Sequence, residues 1–215
     1  MNFIVKGGPV IIPILLGSIV GLAIVLERWW FFHKISRFNI RAFSERVFYY
    51  LKTGDFNSAL TFCDENRIRS GIKYPLPFIF KTGLERQALS PQEIEKAMEG
   101  EGNNQALEME RYLGALATIV GIEPLMGFLG TITGLIKAFM SWEQAGANIT
   151  VSALAAGIYE AMITTAAGLM IAIPLYIVYN YFIARIKLIT QEWTDYSLRL
   201  VEVIGEFKRS GASQG

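Results

Sequence analysis

Residues 151–183 read VSALAAGIYEAMITTAAGLMIAIPLYIVYNYFI. The stretch exceeds the roughly 20 apolar residues needed to cross a bilayer, and Glu160 is its only charged residue. A bare carboxylate is costly in hydrocarbon, so an acid at that depth is paired, wetted or functional. Thr164 and Thr165 follow one turn further on. This segment makes the chain an integral membrane protein and marks the first candidate site.

Two more segments have the same character, residues 10–32 and 113–142. The composition agrees: 52% hydrophobic, 18% charged and a mean hydropathy of +0.35 point away from a soluble globule. The first span reads as a retained anchor, because only Lys6 precedes it and no small-residue cleavage site precedes Glu27-Arg28. Lys34, Arg37, Arg41 and Arg46 follow the first span and Arg185 and Lys187 follow the third, whereas residues 143–150 contain no Lys or Arg. The positive-inside rule then places the N-terminus in the periplasm and the central block and C-terminus in the cytoplasm. The expected fold is an all-α integral membrane protein with three transmembrane helices and long helical extensions into the cytoplasm. Its parts are an N-terminal end and first span over 1–32, a cytoplasmic helical block over 33–112, a second span over 113–142, a loop over 143–150, a third span over 151–185, and a C-terminal helix and tail over 186–215.

Several function classes drop out early. A net charge of +1 gives no electrostatic case for nucleic acid. Cys63 is the only cysteine and His33 the only histidine, so neither an internal disulfide framework nor a Cys- or His-rich metal centre is expected. In a reducing compartment Cys63 is a free thiol. An intramembrane enzyme finds little support, since the spans hold no serine–histidine pair; no cofactor and no metal are expected.

The central block reads as helical. Asp55 is placed to cap a helix in which Phe56, Leu60 and Cys63 fall at helical spacing, and Gly54 closes the preceding one. Pro75 and Pro77 break the pattern, and Ser90-Pro91-Gln92-Glu93 is a capping box with proline at the first helical position. From there the pattern predicts one long helix into the second span, with Gly100 and Gly102 as its points of interruption. In the tail, Ile186, Trp193, Leu200 and Phe207 recur every seventh residue, with Ile189, Tyr196 and Val203 as a second row. That seam packs on another helix, and the central block of the same chain and a neighbouring subunit are equally open as its partner. The small, polar residues after Arg209 read as disordered.

Within the spans, Gly127, Gly130, Thr131, Gly134 and Ala138 recur at three- and four-residue spacing, as do Ala153, Ala156, Gly157, Glu160, Thr164, Ala167 and Gly168. Small stripes let helix backbones approach closely in lipid, and on their own they mark a packing face as readily as a pore. The polar residues among them shift the balance. Thr131 lies roughly eight residues from the outer end of its span and Glu160 a similar distance into the next, so both sit about 12 Å below that surface, with Thr165 about 7 Å deeper. A lone threonine usually bonds its own helix carbonyl; one level with a buried acid is a candidate for a hydrated path. Pro124 and Pro174 each remove a backbone donor and are expected to kink their helices. Glu123 reads as an acid near the cytoplasmic mouth, shallow enough to be hydrated, for which a simple interfacial role is favoured somewhat over a relay, and Lys137 as a residue that snorkels outward.

Residues 122–139, IEPLMGFLGTITGLIKAF, resemble the second-span signature of the TolQ/ExbB/MotA proton-channel family, and residues 154–182, LAAGIYEAMITTAAGLMIAIPLYIVYNYF, resemble that of the third span. The three spans and modest cytoplasmic block are most similar to the TolQ/ExbB branch. The resemblance implies a homo-oligomeric, pentameric ring around the single spans of an ExbD/TolR/MotB-type partner, whose membrane aspartate carries the proton. It also implies an energy transducer of the TonB/TolA type, the bacterial inner membrane, protons as coupling ion, pore-lining roles for Thr131 and Thr165, and Glu160 as the acid of the third span. Where this chain has Glu123, family members commonly carry alanine.

The expected function is thus a proton-channel stator subunit that couples proton-motive force to work on an envelope or periplasmic partner. Thr131, Glu160, Thr164 and Thr165 form the ion pathway, and Gly127, Gly130, Gly134, Ala156, Gly157 and Gly168 the packing and pore face. The alternatives are a non-conducting membrane scaffold, or a stator of a gliding or flagellar-type motor using another ion.

Overall fold

A computed structural model describes residues 8–69, 71–145 and 151–212, with the side chains of Arg69, Ala145, residues 151–154, Glu160 and residues 210–212 outside that description. Helices dominate. They are α1 (Ile11–Ile35), α2 (Ile40–Lys52), α3 (Phe56–Asn66), α4 (Pro75–Glu85), α5 (Pro91–Met109), α6 (Leu113–Ala145) and α7 (Val151–Ala212). Three of them are long and apolar enough to cross a membrane: α1, α6 over Leu113–Gln144, and α7 within Ala155–Arg209. The expected stretch 146–150 and the last residues 213–215 lie outside the described residues; the helix continues past Arg209 to Ala212.

The chain divides into two compact units, residues 1–28 with 112–182, and residues 29–111 with 183–215. In the second unit local signals set the helix ends. Asn39 caps α2 by accepting from the Ala42 amide (2.9 Å), and Asp55 caps α3 by accepting from the Ser58 amide (3.0 Å). Gly54 turns the chain between them at φ 78°, a conformation that costs glycine least. Ser90 and Glu93 close a reciprocal capping box at the start of α5. One short element escaped the sequence reading: β1 (Ile68–Arg69) pairs antiparallel with β2 (Ile72–Lys73), Ile68 opposite Lys73, with Gly71 at φ 76° in the turn.

Aromatic packing fills this unit. Phe43 stacks on Phe62 (5.4 Å between centroids) and tilts against Phe80 (5.7 Å), while Phe38 stacks on Tyr74 (4.6 Å). The C-terminal part of α7 lies on the same core. Ile186, Trp193, Leu200 and Ile204 are buried, Phe207 meets Phe56 edge-on at 5.1 Å, and Lys208 donates to the Leu89 carbonyl at 2.7 Å. Of the two partners left open for the tail seam, its own central block is one that it covers. Burial pushes the Cys63 thiol up to about 12.

The long helix expected from Ser90 into the second span is interrupted, and not at its glycines. Gly100 and Gly102 sit inside α5. The break falls at residues 110–112, where Tyr112 adopts φ 67°. An interior glycine costs about 1 kcal/mol, which packing readily outweighs. The left-handed conformation of Tyr112 is one that propensity alone does not foresee.

Candidate functional site

In the unit formed by residues 1–28 and 112–182, α6 and α7 run antiparallel with almost nothing between their backbones. A Cβ added at Gly127 would lie 3.0 Å from the Thr164 carbonyl oxygen, one at Gly134 3.0 Å from Ala161 Cβ, one at Gly157 2.7 Å from Ala138 Cβ, and one at Gly168 2.6 Å from the Glu123 carbonyl oxygen. Gly130 faces the Thr164 side chain with no room for another carbon. The small residues thus do what such stripes do in lipid, bringing two helices to backbone contact. Ala156 is the exception, lying on an exposed face of α7.

That closeness sets the polar geometry. Thr131 and Thr165 meet across the two helices through a short hydroxyl–hydroxyl hydrogen bond. Thr131 Oγ1 also lies 3.2 Å from the Ala161 carbonyl oxygen of α7 and 3.4 Å from that of Gly127, and Thr165 Oγ1 donates to the Gly127 carbonyl of α6 at 3.0 Å. Two hydroxyls therefore link a carbonyl of one helix to a carbonyl of the other. Each hydroxyl has one proton, so the bond between them has two directions. Either Thr131 donates to Thr165 and Thr165 to Gly127, or Thr165 donates to Thr131 and Thr131 to the carbonyl of Ala161 or Gly127.

Thr164 is buried and donates to the Ala161 carbonyl of its own helix at 2.8 Å, so it packs against Gly130 instead of joining the cross-helix pair. Glu160 precedes Ala161 on α7; its side chain lies outside the described residues. Pro124 and Pro174 both sit inside continuous helices. Lys137 is exposed near the far end of α6.

Glu123 departs from the sequence reading. Expected to be hydrated, it is instead 3% exposed, and its Oε2 has no hydrogen-bond partner among the described residues. The reason is α1: Gly17 stands directly over the carboxyl, leaving no space there for a Cβ. Gly17 was missed by sequence reasoning, although Gly17 and Gly21 form a four-residue small pair in an otherwise bulky span. A Cβ at Gly21 would lie 2.7 Å from Leu175 Cδ1, so this pair seats α1 on α7 as well.

Residues 72–195 match the model of the MotA/TolQ/ExbB proton channel family. The putative biopolymer transport protein ExbB-like 1 of Synechocystis is 32% identical over 181 residues, which is 83% of this chain and 68% of that protein. ExbB-like 3 of the same organism is 27% identical over 177 residues, 82% of this chain and 81% of its own length. The Tol-Pal system protein TolQ of Haemophilus influenzae is 35% identical over 101 residues, 47% of this chain and 44% of its own.

Proposed function

This chain belongs to the MotA/TolQ/ExbB proton channel family, and on that premise we propose that it is the ring-forming stator subunit of a membrane motor, passing protons along the Thr131–Thr165 pair. The observation that supports this reading is the two-hydroxyl link between the Ala161 and Gly127 carbonyls inside apolar spans. A proton delivered by water to the oxygen of one hydroxyl, while the other hydroxyl gives its own proton to water or to the partner's carboxylate, reverses the Thr131–Thr165 hydrogen bond, and a second event requires only that the hydroxyls rotate back. Glu160, one residue from Ala161, polarises and wets this path. The carboxylate that carries the proton belongs to a single-span partner of the ExbD/TolR type, held inside a homopentamer of this chain.

In this reading the helices cross the cytoplasmic membrane with the N-terminus periplasmic, following the basic residues after α1 and after the spanning part of α7. Proton flow drives rotation of the ring relative to the partner spans, and a TonB- or TolA-type transducer carries the work outward. The scaffold alternative is supported by the small-residue contacts alone: Gly127, Gly134, Gly157 and Gly168 bring the two helices to backbone contact whether or not a proton passes.

Thr165→Val separates the two readings, because it keeps the shape and removes the hydroxyl. In vesicles holding the chain with its single-span partner, proton uptake should fall at least about tenfold, on the scale of a lost proton-transfer group, while the ring still assembles. Unchanged uptake in an intact ring refutes the conducting role and leaves the scaffold.

A further inference from the structure

Glu123 lies about eight residues, or roughly 12 Å along α6, from Thr131, and the hydroxyl pair makes no use of it. Three helices enclose it. Gly17 of α1 covers the carboxyl, Ile119 approaches Gly17 from the preceding turn of α6, and Gly168 of α7 lies against the Glu123 backbone carbonyl. Oε2 is sealed from solvent and accepts no hydrogen bond among the described residues. An acceptor left in that state is costly for an ionised carboxylate, which wants several donors.

Among the described residues, the groups that meet Glu123 and Gly17 carry no charge. Gly17, Gly21, Ile119 and Gly168 are not ionisable. Along the packed helices, Glu27 and Arg28 of α1 are about 15 Å from the level of Gly17, Glu160 of α7 is about 12 Å from the level of Gly168, and Lys137 is about 21 Å up α6. The turn does supply an acceptor. Pro124 has no N–H, so it cannot occupy the Val120 carbonyl four residues back. A carboxylic acid, with one proton to donate, needs one such oxygen.

We propose that Glu123 is a proton-exchanging carboxyl built into the junction of α1, α6 and α7, a proton site within one subunit and separate from the Thr131–Thr165 pair. With the junction closed, the acid form fits, its proton directed to the Val120 carbonyl. When α1 draws away from Glu123 and Leu175, water reaches the carboxylate and the proton leaves. Proton binding at Glu123 is thereby coupled to the seating of α1 and not to the hydroxyl pair.

The test is infrared pH-difference spectroscopy on the full chain assembled in lipid vesicles. The wild type should show a protonated-carboxyl C=O band that shifts in D2O, disappears in Glu123→Gln and survives in Glu160→Gln. Superimposable wild-type and Glu123→Gln spectra overturn the proposal, as does a band that answers to sodium but not to pH. Should Glu123→Gln fail to assemble, Gly17→Ala serves instead: its methyl expels the carboxyl from its notch, so the band must move, and an unmoved band overturns the coupling to α1.

Discussion

Gly168→Ala places one methyl group where α7 touches the Glu123 carbonyl. The added Cβ would lie 2.6 Å from that oxygen, against an ordinary carbon–oxygen separation of about 3.3 Å. The obstacle is backbone on both sides, so no rotamer change relieves it, and the helices must part by roughly 0.7 Å at this level. Overpacking of that kind costs about 1–3 kcal/mol. The displacement also reaches the hydroxyl pair: the Thr165–Gly127 hydrogen bond, 3.0 Å long, would stretch to about 3.7 Å, outside hydrogen-bonding range. Gly121→Ala is the matched control, since a Cβ there meets nothing within 4 Å, and it should be neutral or slightly stabilising. The assay is thermal unfolding of the purified protein in detergent, paired with the vesicle proton-uptake measurement that tests the proposed function. Gly168→Ala should lower both, with Gly121→Ala unchanged in both. A Gly168→Ala protein that matches wild type in midpoint and uptake refutes the argument that backbone contact positions the hydroxyls.

Other outcomes follow from the second unit. Cys63 is buried with its thiol pushed up to about 12, and only the thiolate reacts, so at pH 8 about one thiol in ten thousand is ionised. Maleimide should label it only after denaturation, and rapid labelling of folded protein would contradict the burial. Trp193→Ala removes a side chain that is 3% exposed and should cost about 3–5 kcal/mol, freeing the end of α7. Limited proteolysis should then cut after Arg199 or Arg209 well before it cuts elsewhere, and a wild-type digestion pattern would show that the tail is held by other contacts.

Much of the fold was legible because it is written locally. The three apolar runs, the Asp55 and Ser90 caps and the heptad-spaced tail each depend on residues within a few positions of one another. The approximate level of Thr131 was legible too, since counting residues from each span end put it near Glu160, and its hydroxyl reaches the carbonyl of Ala161. The break at Tyr112 was not legible, because a left-handed conformation at a tyrosine runs against its backbone preference and no local pattern announces it. Nor was the enclosure of Glu123, which depends on Gly17, more than a hundred residues earlier in the chain.

The seam between α6 and α7 is lined by Gly127, Gly130, Gly134, Ala138, Gly157, Ala161 and Gly168. Glycine and alanine have essentially no rotamer freedom to lose on burial. Bringing these surfaces together therefore freezes few side chains, and parting them leaves few to be released and recaptured. Interlocked leucines would act as a latch, catching at each passage; this surface acts more like a bearing. A joint of that kind dissipates little when it moves.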